Sequence, residues 1–98
     1  MKTVIITGAA NGIGKAIAEI LKEHKLILVD NDEKKLVEAS GKLKCDYYVC
    51  DVSNENDVIT FFDKIKQKYN IIDCLINCAG IWISRDMSKL NQPIYKEM

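Results

Sequence analysis

Residues 7–16, TGAANGIGKA, place three glycines within seven positions near the start of the chain. Glycine loses more backbone freedom on folding than any other residue, so this density is costly in any regular element. A β-branched run precedes the glycines and a helical pattern follows them. We interpret the stretch as a strand-to-helix turn whose backbone must lie close to another group.

Short apolar runs alternate with amphipathic stretches from residue 3 to residue 77. The runs predict four strands, at residues 3–7, 26–30, 46–52 and 72–77. The amphipathic stretches predict a helix over residues 12–24, a second that Asp32 caps and that ends near Gly41, and a third that Ser53 caps. The apolar face of the first helix is predicted at Ile13, Ala16, Ile17, Ile20 and Leu21.

The strand runs are apolar without alternation, which predicts a parallel sheet with helices on both faces. Right-handed crossovers leave few topologies, and the strand order 3-2-1-4 of dinucleotide-binding sheets fits. We therefore expect a doubly wound α/β fold whose sheet is incomplete on the strand 4 side. Its ligands bind at the carboxyl ends of the strands where the chain reverses, and TGAANGIG stands there.

The glycine turn suits a phosphate. A helix N-terminus carries unsatisfied N–H donors and a partial positive charge. We assign Gly8 to the sharp turn, Gly12 to the approach of a pyrophosphate, and Gly14 to close helix–strand contact. A Walker-type phosphate loop would need glycine at position 9 and Ser or Thr at position 16. This chain has alanine at both positions, so that interpretation fails.

Asp30 ends the second predicted strand, twenty-two residues beyond Gly8. A carboxylate at this point accepts hydrogen bonds from the ribose hydroxyls of adenosine. It would also repel a 2′-phosphate, which favours NAD over NADP. Lys34 and Lys35 follow closely enough to leave NADP open. The other interpretation makes Asp30 a helix cap or a surface charge.

Composition excludes several function classes. Lysine plus arginine and aspartate plus glutamate number fourteen each, and no basic block suits a nucleic acid. No stretch approaches the roughly 20 apolar residues of a membrane helix. The apolar run at residues 4–6 is shorter than the roughly 7–15 residues of an export signal. We therefore expect a soluble, cytoplasmic protein without a nucleic-acid or membrane partner.

The chain has four cysteines, Cys45, Cys50, Cys74 and Cys78. They form no C-x-x-C pair, and His24 is far away in sequence, so the paired spacing of zinc ligands is missing. Each lies within or beside an apolar segment, where a free cysteine behaves as a small hydrophobic residue. We expect buried thiols and no metal, with a metal site or a disulfide as the lesser alternative.

Four motifs occur in a fixed order. TGAANGIG, with the spacing Thr-Gly-x-x-x-Gly-x-Gly, is followed by Asp30 after strand 2 and by Asp51-Val52 after strand 3. Residues 77–80, Asn-Cys-Ala-Gly, come after strand 4 and are similar to Asn-Asn-Ala-Gly. Together these motifs, spanning residues 3–81, resemble those of the short-chain dehydrogenases/reductases. Other dinucleotide-binding proteins have G-x-G-x-x-G instead.

The resemblance implies a Rossmann-type fold and hydride transfer between a nicotinamide cofactor and an alcohol or carbonyl substrate. It implies that the cofactor-binding residues are Gly8, Asn11, Gly12, Ile13, Gly14, Asp30, Asp51, Val52, Asn77, Ala79 and Gly80. The sequence departs from the family at Cys78, where a second asparagine is usual. Because a thiol hydrogen-bonds poorly, we expect a weaker link between strand 4 and the glycine turn.

The family's chemistry also implies a Tyr-x-x-x-Lys pair with an upstream serine. None of Tyr47, Tyr48 and Tyr69 has a lysine four residues on, and Tyr95 has no residue at that distance. We therefore predict that residues 1–98 are one NAD(P)-binding domain, the N-terminal part of an NAD-preferring enzyme, and that the chain alone is inactive. The alternative is a non-catalytic dinucleotide-binding module or a degenerate fragment. The sequence leaves open whether identical chains associate.

Overall fold

The computed structural model describes residues 1–79, which form a four-stranded parallel sheet with three helices. The strands are β1 (Thr3–Thr7), β2 (Lys25–Asp30), β3 (Asp46–Val49) and β4 (Cys74–Asn77). The helices are α1 (Gly12–Ile20), α2 (Glu33–Leu43) and α3 (Glu55–Lys68). The order across the sheet is β3-β2-β1-β4, which confirms the predicted doubly wound α/β arrangement.

The register brings the carboxyl ends of the strands to one edge. Thr7 at the end of β1 pairs with Asn77 at the end of β4. Asp30 at the end of β2 pairs with Val49 at the end of β3, and Cys50 follows directly. Thr7, Asp30 and Asn77 therefore end their strands at the predicted residues, whereas β3 ends at Val49 and not at the predicted residue 52. The turn between β1 and α1 begins at this edge.

Two apolar clusters lie on opposite faces of the sheet. The cluster under α1 and α2 includes Val4, Ile6, Leu26, Leu28, Leu36 and Ala39. The cluster under α3 includes Ile5, Ile27, Val29, Val58, Phe61 and Ile65. β1 and β2 are therefore covered on both faces, which explains their unbroken apolar runs. Within residues 1–79 no helix has the length and apolar content needed to cross a membrane.

Helix α1 packs on the sheet through a face that shares only Ile17 and Leu21 with the predicted one. Gly14 and Ala18 are buried, whereas Ile13 and Ile20 are 74% and 78% exposed. Ala16 is also exposed. The predicted face was wrong at these three positions because residues with little or no side chain turn inward, where the helix lies closest to the glycine turn.

The ends of all three helices differ from prediction. Helix α1 ends at Ile20, with Leu21 as its C-cap residue, and not at residue 24. Helix α2 continues past Gly41 to Leu43, which packs against the cluster under α1 and α2, and then stops at Lys44, where φ is 54°. Helix α3 is capped by Asn54 and not by Ser53. The Asn54 side chain accepts a hydrogen bond from the N–H three residues on, at 3.1 Å.

We expect Ile27→Ala to lower the free energy of unfolding by about 2–5 kcal/mol, because the side chain is fully buried and its loss leaves a cavity. Urea denaturation followed by circular dichroism measures the change. Ile20→Ala is the matched control, because its side chain is 78% exposed, and it should change stability by less than about 0.5 kcal/mol. Equal losses in both variants would contradict the assigned core.

Candidate dinucleotide-binding site

A cavity of about 530 Å³ opens at the carboxyl edge of the sheet. The predicted site residues in its wall are Gly8, Asn11, Gly12, Ile13, Asp30, Asp51, Val52 and Ala79. Its wall also contains residues that we did not predict, namely Val29, Asn31, Cys50, Ser53 and Cys78. Gly14 and Asn77 do not line the cavity, and Gly80 lies outside the described residues. Each of these unpredicted residues is next to a motif residue in the sequence. Extending each motif by one residue would therefore have included them.

The three glycines of the turn differ in their surroundings. A Cβ at Gly8, where φ is 65°, would lie 2.7 Å from the Cys78 carbonyl carbon. A Cβ at Gly14 would overlap the carbonyl oxygen of Gly8 and lie 2.8 Å from its carbonyl carbon. At Gly12 φ is 55° and a Cβ would meet no atom within 4 Å. Gly8 and Gly14 therefore permit close backbone packing, whereas Gly12 supplies a left-handed conformation facing open space.

The N-terminus of α1 faces this cavity with its donors available. The first N–H groups of any α-helix have no acceptor within the helix. Asn11, the N-cap residue, has extended backbone and its side chain makes no capping hydrogen bond. The first turn carries no acidic residue, so no side-chain charge within it opposes the partial positive charge of the helix end. This end of α1 is suited to a phosphate.

The Asp30 carboxylate connects the glycine turn to the end of β2. Its Oδ2 accepts a hydrogen bond from the Ala10 N–H at 3.0 Å, and its Oδ1 accepts one from the Asp32 N–H at 3.0 Å. Each carboxylate oxygen has a further lone pair with which it can accept a ribose hydroxyl. The cap of α2 is instead Asp32, whose side chain accepts a hydrogen bond from the Lys35 N–H at 3.2 Å. The interpretation of Asp30 as a helix cap is therefore wrong.

The ends of β1 and β4 are tied together despite the thiol at Cys78. The Thr7 hydroxyl donates to Asn77 Oδ1 at 2.6 Å, and the Ala79 N–H donates to the same oxygen at 3.1 Å. The Cys78 N–H donates to the Thr7 carbonyl at 3.1 Å. These hydrogen bonds hold the end of β4 against Thr7, the last residue of β1. A weaker link to the glycine turn through the Cys78 side chain stays a prediction.

Asp51 and Cys50 form the β3 side of the cavity. The Asp51 carboxylate accepts hydrogen bonds from the Ser53 hydroxyl at 2.6 Å and the Ser53 N–H at 2.9 Å, which lower the pKa of Asp51. Burial, with a smaller effect of the Asp57 and Asp51 carboxylates, raises the pKa of the Cys50 thiol to about 11. Cys50 is therefore a neutral thiol at physiological pH and a poor nucleophile.

The four cysteines are free thiols, but only Cys50 is buried; Cys45, Cys74 and Cys78 are partly exposed. The expectation that all four are buried was therefore wrong for three of them. Cys78 lies in the cavity wall. Within residues 1–79 no three histidine, cysteine or acidic side chains group as a metal site would require.

The cavity combines a helix N-terminus, where an anion can bind, with a carboxylate that can accept hydrogen bonds from hydroxyl groups. Among the described residues its wall contains no tyrosine, lysine or histidine.

Gly14→Ala and Gly41→Ala form a matched pair that tests the close contact between α1 and β1. We expect Gly41→Ala to stabilise the protein by up to about 1 kcal/mol, because a Cβ in this helix meets no atom within 4 Å. Gly14→Ala should destabilise it by about 1–3 kcal/mol, because the Cβ collides with the backbone of Gly8. Urea denaturation measures both changes. Stabilisation by both substitutions would contradict the contact.

Comparison with known proteins identifies relatives of this chain. The family model for short chain dehydrogenases matches residues 2–98. An uncharacterised oxidoreductase of Staphylococcus saprophyticus is 33% identical over 91 residues, covering 85% of this chain and 39% of that protein. Tropinone reductase-like 1 of Erythroxylum coca is 40% identical over 84 residues, covering 82% of this chain and 31% of that protein.

A solved structure agrees with the sequence matches. A short chain dehydrogenase/reductase from Burkholderia phymatum in complex with NAD superposes with a TM-score of 0.70 and 31% identity. The superposition covers 76% of this chain and 29% of that one. The chain thus spans about a third of the length of these relatives. A family match from residue 2 to residue 98, on a fold that superposes on a solved member, means that this chain belongs to the short-chain dehydrogenase family.

Proposed function

We propose that this chain forms the cofactor-binding part of an NAD(P)-dependent oxidoreductase that acts on an alcohol or carbonyl substrate. The observation that carries the proposal is the open N-terminus of α1 beside the Asp30 carboxylate, in one cavity of about 530 Å³. That volume lies within the range of about 300–1,000 Å³ that is typical of small-molecule sites. The oxidoreductases among the relatives support the same reaction class.

The residues present fit a dinucleotide. The N–H groups at the start of α1 would hold the pyrophosphate, and Gly12 would let it approach the backbone. Asp30 would accept hydrogen bonds from the adenosine ribose, while Asp51 and Val52 would flank the adenine. The remaining proposed cofactor-binding residues are Gly8, Asn11, Ile13, Gly14, Asn77, Ala79 and Gly80. When bound, the nicotinamide supplies the carbon that accepts or donates hydride.

We further propose a preference for NAD. Asp30 lies in the cavity wall, and no described lysine, arginine or histidine lines this cavity to offset its charge. A phosphate within a few ångströms of the carboxylate would be repelled by about a few kcal/mol at an effective dielectric constant near 20. Because about 1.4 kcal/mol corresponds to tenfold in affinity, the preference should be at least roughly tenfold.

Calorimetric titration of the 98-residue chain with NAD tests the proposal directly. We expect weak binding, and no change in nicotinamide absorbance with alcohols or ketones, because the cavity wall lacks acid–base side chains among the described residues. Gly12→Ala should weaken binding by roughly tenfold, because it strains a left-handed residue and fills space at the helix N-terminus. Gly41→Ala is the control and should bind as wild type does.

Turnover by the 98-residue chain itself would contradict the assignment of this chain to recognition alone. Turnover by the protein expressed from its complete reading frame would separate the enzyme from the alternative, a non-catalytic dinucleotide-binding module. If neither the 98-residue chain nor the protein expressed from its complete reading frame binds an adenine nucleotide, the proposed function is contradicted. That result would favour a degenerate fragment.

Substitution of Asp30 tests the NAD preference. Asp30→Ala should reduce the factor by which the protein binds NAD more tightly than NADP. It should also destabilise the protein by about 1–3 kcal/mol, because the Ala10 and Asp32 N–H groups lose their acceptor. Asp30→Asn removes the charge but keeps an amide oxygen that accepts one N–H. It should therefore also reduce the preference for NAD over NADP, with a smaller loss of stability than Asp30→Ala. Binding titrations and urea denaturation measure the two effects. Equal affinities of the wild-type protein for NAD and NADP would show that Asp30 does not select the cofactor.

A further inference from the structure

The N-terminus of α1 has no side-chain cap, although its N-cap residue is of a type that caps helices well. Asn11 has extended backbone, and its carbonyl accepts a hydrogen bond from the Lys15 N–H at 3.3 Å, as an N-cap carbonyl does. Asparagine is among the residues whose side chains most often accept a hydrogen bond from an N–H of the first helical turn. The Asn11 side chain makes no such bond to α1.

The other two described helices show the ordinary behaviour of such residues. The Asn54 side chain accepts a hydrogen bond from the Asp57 N–H at 3.1 Å at the start of α3. The Asp32 side chain accepts one from the Lys35 N–H at 3.2 Å at the start of α2. Asn11 and Asn54 are the same residue type on extended backbone, so residue type does not explain why only the latter caps its helix.

A lysine from α2 occupies the atom that would form the cap. Lys35 Nζ donates to Asn11 Oδ1 at 3.1 Å. The backbone on each side of this contact is fixed, because the Ala10 N–H donates to the Asp30 carboxylate at 3.0 Å and the Lys35 N–H donates to the Asp32 side chain. What Lys35 controls is therefore the direction of the Asn11 side chain.

We infer that Lys35 is a positioning residue for the cofactor: by binding the Asn11 side chain, it keeps the first N–H groups of α1 free for the pyrophosphate. This inference rests on the proposed function, because it needs a pyrophosphate at this helix end. Asn11 lines the dinucleotide cavity and Lys35 does not, so Lys35 acts through Asn11. Without the lysine, the Asn11 oxygen caps the helix, and the cofactor has to displace it.

The inference predicts opposite effects on stability and on binding. A cap would stabilise the cofactor-free protein and would compete with the pyrophosphate for the same N–H groups. Loss of the Lys35 ammonium should therefore raise stability and weaken NAD binding. A lysine that only supported the fold would change both in the same direction. A lysine that only attracted the pyrophosphate by its charge would act whether or not Asn11 is present.

A double-mutant cycle tests the inference on the protein expressed from its complete reading frame. The cycle consists of wild type, Lys35→Met, Asn11→Ala and the double variant, because methionine has no donor and alanine cannot cap. Lys34→Met is the matched control, since Lys34 is exposed in the same turn of α2. Lys35→Arg restores a donor and a charge. Calorimetry measures the dissociation constant for NAD, and urea denaturation without NAD measures stability.

We expect Lys35→Met to weaken NAD binding by roughly fivefold, the factor that corresponds to one capping hydrogen bond. The same substitution should raise the urea midpoint relative to Lys34→Met. In the Asn11→Ala background it should change neither quantity. Lys35→Arg should recover most of the lost NAD affinity.

An equal loss of NAD affinity from Lys35→Met in the Asn11→Ala background would assign the effect to charge and overturn the inference. An equal urea midpoint in Lys35→Met and Lys34→Met would show that the left-handed turn at Gly12 leaves α1 uncapped without help from Lys35, and would also overturn it. Both results leave the dinucleotide site standing when the wild-type protein binds NAD. Absence of NAD binding by the wild-type protein rejects the proposed function and the inference together.

Discussion

The contact between Gly14 and Gly8 is the constraint on which the site depends. No side chain fits between these residues, so the first turn of α1 lies directly against the backbone at the end of β1. The contact sets the rotation of the helix about its axis, which turns Gly14 and Ala18 inward and leaves Ile13 exposed. It also directs the unsatisfied N–H groups of the helix into the cavity. The packing of α1 and the direction of its N-terminal N–H groups are thus consequences of one backbone approach.

Asp30 connects this turn to the rest of the sheet. Its two oxygens hold N–H groups on either side, one in the glycine turn and one at the start of α2. The same carboxylate faces the cavity, so substitution cannot alter its charge without affecting the turn. Asp30 both accepts these hydrogen bonds and presents a negative charge to the cavity. We therefore expect alanine at this position to lower stability more than asparagine, although both substitutions remove the charge.

The sequence predicted much of the fold because its signals are local and strong. Apolar β-branched runs and helical spacing identified four strands and three helices, and right-handed crossovers limited their order to the one observed. The cap of α3 was misplaced by one residue, because Ser53 and Asn54 are both good caps and only the folded chain shows that Ser53 binds Asp51. The end of α2 was placed early because Gly41 is a common helix terminator, yet packing of Leu43 extends the helix.

By itself the sequence determined the element order, the glycine turn and the acidic residue that ends β2, since each depends on neighbours along the chain. Only the tertiary structure decided which face of α1 is buried. The spacing of apolar residues predicts a face of large hydrophobic side chains, whereas the close approach at Gly14 requires small residues on the buried face. Only the tertiary structure also brought Lys35 to Asn11, twenty-four positions apart, because that distance depends on how α2 returns across the sheet. Contacts between helices and strands are set by packing, and the spacing of residues along the sequence does not predict them.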